Sequence, residues 1–129
     1  MAFPVSQMAA VALGGALGCV ARWGVEQIDI FDSGKFYFTI TVNIIGCLLM
    51  GILRAVFAHY DVERIWCTLV FTGILGGFTT YSALIYDTMR LSWAGSARMV
   101  ALYLAITLVG GLLAGFGGYH GTNRLLNSF

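Results

Sequence analysis

The sequence predicts an all-α integral membrane protein with four transmembrane helices, the third one broken mid-membrane. Three observations predict it. The 129 residues are 59% hydrophobic and 10% charged, where a soluble domain carries about 25% charge. Uncharged stretches run over residues 1–21, 36–53, 65–86 and 99–123, each near or above the ~18 residues that suggest a membrane span. The 7 Lys and Arg and the 6 Asp and Glu all fall between or beyond those stretches. One domain, residues 1–129, follows, with spans at about 4–25, 36–58, 65–91 and 97–120.

Span one does not read as a signal peptide, because no Lys or Arg precedes Arg22. It carries Gly14-x-x-x-Gly18, a close-contact face for another helix, and Arg22 closes it. The positive field of Arg22 could draw anions into a vestibule, or the side chain could simply snorkel to the interface. Span two holds Thr39, Thr41 and Asn43. An Asn in hydrocarbon is costly unless satisfied. Its amide could donate to an anion, although a hydrogen bond between helices is the commoner use.

Span three carries the most informative segment, Gly76-Gly77-Phe78-Thr79-Thr80-Tyr81-Ser82, at the centre of its uncharged run. Backbone groups in hydrocarbon have no water to bond, so a helix broken there must use its freed carbonyls and N–H groups. Helices broken at the midplane form ion sites in many transport proteins. The segment points to a chain that moves or binds an ion. Gly73-x-x-x-Gly77 adds a second packing face. In span four, Tyr103 and Thr107 stand four apart and share one helix face, which Gly111 and Gly115 continue without side chains. Aromatics such as Trp23, Tyr37, Tyr60, Trp66 and Trp93 gather near span ends as interfacial belts do.

The remaining reactive residues suggest little chemistry. Cys19, Cys47 and Cys67 show neither metal spacing nor a disulfide framework, and read as buried thiols acting as small hydrophobes. His59 and His120 lack a partner motif. No nucleophile–base pair, H-E-x-x-H set, P-loop, dinucleotide fingerprint or basic patch occurs, so an enzyme is not expected. No acidic residue lies at the centre of a span, with Asp87 read as near an end, and proton coupling normally needs a titratable group in the membrane. Neutral donors without carboxylates favour passive movement of a small anion.

An even number of spans puts both termini on one side. The loops after spans one and three carry Arg22, Lys35, Arg90 and Arg98, while the other side carries Arg54, Arg64 and Arg124. So small a bias gives almost no orientation. The chain could insert both ways and pair head to tail as an antiparallel dual-topology dimer. Four short spans also hardly enclose an aqueous path, which again calls for an oligomer.

Gly73-Ile74-Leu75-Gly76-Gly77-Phe78-Thr79-Thr80-Tyr81-Ser82 resembles the signature G-x-x-G-G-x-T-T-F-S-T-F of the small fluoride channels, the Fluc/CrcB family. Gly18-Cys19-Val20-Ala21-Arg22-Trp23, Thr39-Ile40-Thr41-Val42-Asn43, and the pair Tyr103 and Thr107 match in order through all four spans. The resemblance implies a dual-topology homodimer with two fluoride pores in the cell membrane, in a bacterium the plasma or inner membrane. It implies a structural sodium ion at the dimer interface, held by the backbone carbonyls of Gly76 and Thr79. It further implies a fluoride pathway through Arg22, Asn43, Thr80, Tyr81, Ser82, Tyr103 and Thr107. The sequence departs from the signature at Ala83 and Leu84, where it expects Thr and Phe, and at Gly111 and Gly115, where the polar track often has hydroxyls. These departures raise a second possibility, a subunit paired with a paralogous chain in a heteromeric channel.

The reading is a passive, selective fluoride channel that exports cytoplasmic fluoride and lowers its toxicity. A small dual-topology multidrug transporter has a similar length but would need a membrane-embedded carboxylate. A scaffold protein would not require the Gly-Gly-x-Thr-Thr segment.

Overall fold

Four segments are long and apolar enough to cross a membrane: Val5–Glu26, Phe36–His59, Arg64–Trp93 and Ala97–Leu126. The computed structural model describes residues 4–28 and 35–128, without the side chain of Lys35. The charged group of that lysine, counted among the loop charges above, therefore lies outside what is described. We name α1 (Val5–Glu26), α2 (Lys35–His59), α3 (residues 64–78), α4 (Tyr81–Trp93) and α5 (Ala97–Leu126). No strand occurs among the described residues. The last helix continues six residues past the expected end at 120. Polar residues there end the apolar run, but none of them stops a helix, and the chain turns only at the Asn127 cap.

α3 is not uniform. Its middle, Thr68–Leu75, is a π-helix between short α-helical pieces, a wider winding that is rare over such a length. Thr79 and Thr80 then take extended backbone angles, φ −78°, ψ 160° and φ −148°, ψ 113°, and the chain becomes helical again at Tyr81. The α4–α5 connection is tight. Gly95 sits at φ +76°, the left-handed conformation that glycine adopts without strain, and its N–H bonds the Ser92 carbonyl at 2.9 Å. The Ser96 hydroxyl then accepts from the Met99 N–H at 3.4 Å to start α5.

The helices pack as two close pairs, α1 with α3 and α2 with α5. Small residues set both approaches, as packing between membrane helices favours. A Cβ on Gly73 would lie 2.8 Å from the Cα of Gly14, and one on Gly77 would lie 2.6 Å from the carbonyl oxygen of Gly15. The G-x-x-x-G faces of spans one and three therefore meet each other, backbone against backbone. In the second pair, a Cβ on Gly118 would sit 2.8 Å from the Leu48 carbonyl oxygen, and one on Gly51 would sit 2.8 Å from the Tyr119 nitrogen. Val42 of α2 is fully buried.

Much apolar surface stays uncovered in the single chain. Leu13, Leu17, Leu112, Leu113 and Phe116 are 61–70% exposed, which suits contact with lipid or another subunit and not with water. The expectation that all three cysteines are buried is wrong for the isolated chain. Cys19 is exposed, while Cys47 and Cys67 are half-buried, because a single thin bundle leaves much of each helix uncovered.

Candidate functional site

The two extended residues, Thr79 and Thr80, are held by α2. The Thr80 N–H donates to Asn43 Oδ1 at 2.8 Å, and Asn43 Nδ2 donates back to the Thr80 carbonyl at 3.0 Å. One side-chain amide thus satisfies both backbone groups of one residue, which would otherwise be left without partners in an apolar setting. The Thr80 hydroxyl accepts from the Ala83 N–H at 3.2 Å and caps α4. On the other side, both the N–H and the hydroxyl of Thr79 donate to the Leu75 carbonyl, at 3.0 and 2.9 Å.

These bonds decide which carbonyls are freed. In a continuous α-helix the Thr80 N–H would bond the Gly76 carbonyl, and the Ala83 N–H would bond the Thr79 carbonyl. Here the first donates to Asn43 and the second to the Thr80 hydroxyl. The Thr79 carbonyl instead accepts from Nη1 of Arg22, which reaches across from α1 at 3.3 Å. Arg22 Nη2 also lies 3.9 Å from the sulfur of Cys19. Neutral carbonyl oxygens of this kind suit a hard cation. No cluster of three or more His, Cys, Asp or Glu side chains gathers among the described residues, so backbone oxygen is the donor chemistry on offer.

A cavity of ≈ 420 Å³ opens beside the extended residues, and Asn43, Gly76, Thr79, Thr80, Tyr81 and Thr107 are among its lining residues. Arg22, Ser82 and Tyr103 do not line it. Ser82 is exposed, with its hydroxyl 3.4 Å from that of Thr80. Tyr81 is 73% exposed at the cavity edge. Leu84 lines the cavity and is buried, at 4% exposure. The position where the signature expects a second aromatic therefore faces the same space. Gly111 also has a local cause: a Cβ there would lie 3.3 Å from the sulfur of Cys47, so the thiol already occupies the room a larger residue would need.

Sequence reasoning missed one residue. Asp87, read as near a span end, is buried at 4% exposure and receives hydrogen bonds from the Thr39 hydroxyl at 2.7 Å and the Tyr103 hydroxyl at 3.0 Å. It ties α4 to α2 and α5 at once. The signal was available: Asp87 stands three residues after Leu84 and four before Leu91, and all three are buried along one face of α4. Phe36 meets the Tyr103 ring edge-on at 6.0 Å and 75°, and Arg90 lies over Phe36 at 5.2 Å. Apolar packing and a cation–π contact thus surround the carboxylate network.

Hydroxyl hydrogens decide which groups can serve an anion. Tyr103 donates to Asp87, and Thr107 donates to the Tyr103 carbonyl at 2.8 Å, so both are committed in this conformation. Asn43 carries two amide hydrogens, of which one goes to Thr80. The second is a donor on the lining of the cavity.

The family model described as "CrcB-like protein, Camphor Resistance (CrcB)" matches residues 9–119. Similar proteins include one from Azotobacter vinelandii, 42% identical over 112 residues, covering 84% of this chain and 90% of that one. One from Cereibacter sphaeroides is 37% identical over 122 residues, covering 91% and 97%. One from Paracoccus denitrificans is 42% identical over 109 residues, covering 84% and 87%. All three carry the name "Fluoride-specific ion channel FluC".

Proposed function

Because the chain belongs to the CrcB family, we propose that it is a multi-pass membrane channel that passes fluoride selectively and passively out of the cytoplasm. The observation that carries this reading is the pair of bonds between Asn43 and Thr80 at the edge of a cavity. It supplies a spare amide hydrogen, a capped helix start and neutral donors where the backbone leaves the helical path.

Fluoride holds its water tightly, so a path for it must offer strong donors at close range. Asn43 is the first of them. The Tyr81 ring edge, electropositive as aromatic edges are, and the Ser82 and Thr80 hydroxyls continue the donors along α4. Tyr103 and Thr107 join the pathway only on rotating their hydroxyls away from Asp87 and the α5 backbone. Arg22 places a fixed positive charge at the break. Chloride is larger and a weaker acceptor, and gains less from the same donors.

The active unit in this reading is an antiparallel dimer, with the break in the third span at the membrane midplane. The exposed apolar residues on the cavity side, Leu112 among them, support a partner there. A structural sodium ion between two copies would be held by the Gly76 and Thr79 carbonyls, whose helical donors are used elsewhere. It would neutralise the converging oxygens and fix the dimer axis. Leu84 in place of an aromatic favours one further reading, a subunit that completes its pore with a paralogous chain.

Asp87 removes one earlier discriminator. A buried carboxylate exists, so its supposed absence no longer argues against a proton-coupled multidrug transporter. The family match does. Growth of a fluoride-sensitive bacterium lacking its own fluoride channel tests the reading. The wild-type chain restores growth in fluoride. Asn43→Asp, which puts a negative charge beside an anion, does not. Equal rescue by that variant would remove Asn43 from the path, and no rescue by the wild type would remove the function.

A further inference from the structure

We infer that Arg22 is a built-in competitor of the cation at the break, and so sets how tightly that cation is held. The inference rests on the sodium reading above. Its basis is the shared acceptor: Arg22 Nη1 donates at 3.3 Å to the Thr79 carbonyl, one of the oxygens proposed to face the cation.

α1 builds this contact deliberately. Gly14, Gly18 and Arg22 follow at intervals of four and lie on one helix face. The first two press against the third span backbone to backbone: a Cβ on Gly14 would lie 2.9 Å from the Gly73 Cα, and one on Gly18 would lie 2.9 Å from the Phe78 nitrogen. That close approach carries the guanidinium to the break one turn further on. The Ala83 N–H, the helical donor for the Thr79 carbonyl, is already bonded to the Thr80 hydroxyl. Arg22 is therefore the donor that satisfies this oxygen in the chain on its own.

A guanidinium cannot release its proton in a protein. Its charge is permanent, and so is its repulsion toward a second cation on the same oxygen. Arg22 lowers cation affinity at the break. By reciprocity, an occupied cation site loosens Arg22 from Thr79. The freed guanidinium then stands at the mouth of the anion path, so cation and anion binding favour each other.

Thermal unfolding of the purified full-length chain in micelles, with sodium chloride exchanged for choline chloride at constant ionic strength, reads this directly. The wild type gains stability with sodium at a measurable midpoint. Arg22→Gln, which keeps a donor and removes the charge, lowers that midpoint about tenfold. Arg22→Lys, which keeps the charge, stays within about threefold of wild type. A midpoint for Arg22→Gln equal to or above that of wild type overturns the inference while leaving the cation reading intact. A wild type indifferent to sodium removes both. A second measurement needs no variant: modification of Arg22 by an arginine-directed dicarbonyl, followed by peptide mass spectrometry, runs faster in sodium than in choline. An equal or slower rate in sodium contradicts the coupling.

Discussion

Along residues 64–78 the third span touches α1 through bare backbone, glycine on glycine, with Gly73 and Gly77 facing Gly14 and Gly15. Along Tyr81–Trp93 the same span touches α2 and α5 through polar side chains, with Asp87 bonded to Thr39 and Tyr103. The first half meets α1 by shape, since lipid tails are as apolar as Leu and give helices no hydrophobic reason to associate. Arg54 and Phe57 of α2 also contact its Phe71 ring, at 4.9 and 5.3 Å. The second half is held by directional bonds that define one rotation of α4. Asn43 stands at the junction and bonds neither half as a side-chain partner; it bonds the backbone between them. A span divided in this way can keep one half rigid while the groups that would serve an anion project from the other.

The contrast breaks most severely at the glycine seam. Gly73→Leu forces a side chain into the backbone of α1, where a Cβ alone would lie 2.8 Å from the Gly14 Cα. Such overpacking costs about 3 kcal/mol or more when backbone must move. The variant should lose its single sharp peak on size-exclusion chromatography and become protease-sensitive, and wild-type elution would show that shape does not hold this half. Next comes the junction. Asn43→Ala leaves both the N–H and the carbonyl of Thr80 unpaired, at about 2 kcal/mol. A lowered unfolding temperature with faster amide exchange at Thr80 is expected, and unchanged exchange would mean another group holds the break. The smallest effect belongs to the polar half. Asp87→Ala removes the shared acceptor of two buried hydroxyls, at about 1 kcal/mol. Asp87→Asn keeps one carbonyl acceptor and should lose less. Equal losses would mean that packing of Leu84 and Leu91, not hydrogen bonding, carries α4.

The spans themselves were legible in the sequence, because the hydrocarbon thickness demands runs of apolar residues and those runs are long and clean. The glycine faces were legible as well, but not their pairing. A G-x-x-x-G pattern says that a helix can be approached closely and is silent about which helix approaches. Asn43 left two uses open, a donor to an anion or a bond between helices. The geometry supplies the second and leaves one amide hydrogen for the first. Arg22 left two uses open as well, a vestibule charge or a side chain snorkelling to the interface. Its bond to the Thr79 carbonyl depends on a three-dimensional approach that spacing along one chain cannot give. Asp87 stayed hidden because it ends an uncharged run and so reads as a boundary residue. Only its register with Leu84 and Leu91 shows that it points inward.

The most direct test is ion efflux from liposomes that contain only this purified chain, followed with fluoride and chloride electrodes in parallel. Rapid release of fluoride without chloride is the expected result, and it would also show that one kind of chain suffices. Comparable release of both ions, or of neither from protein shown to be folded, would contradict a selective fluoride channel built from this chain alone.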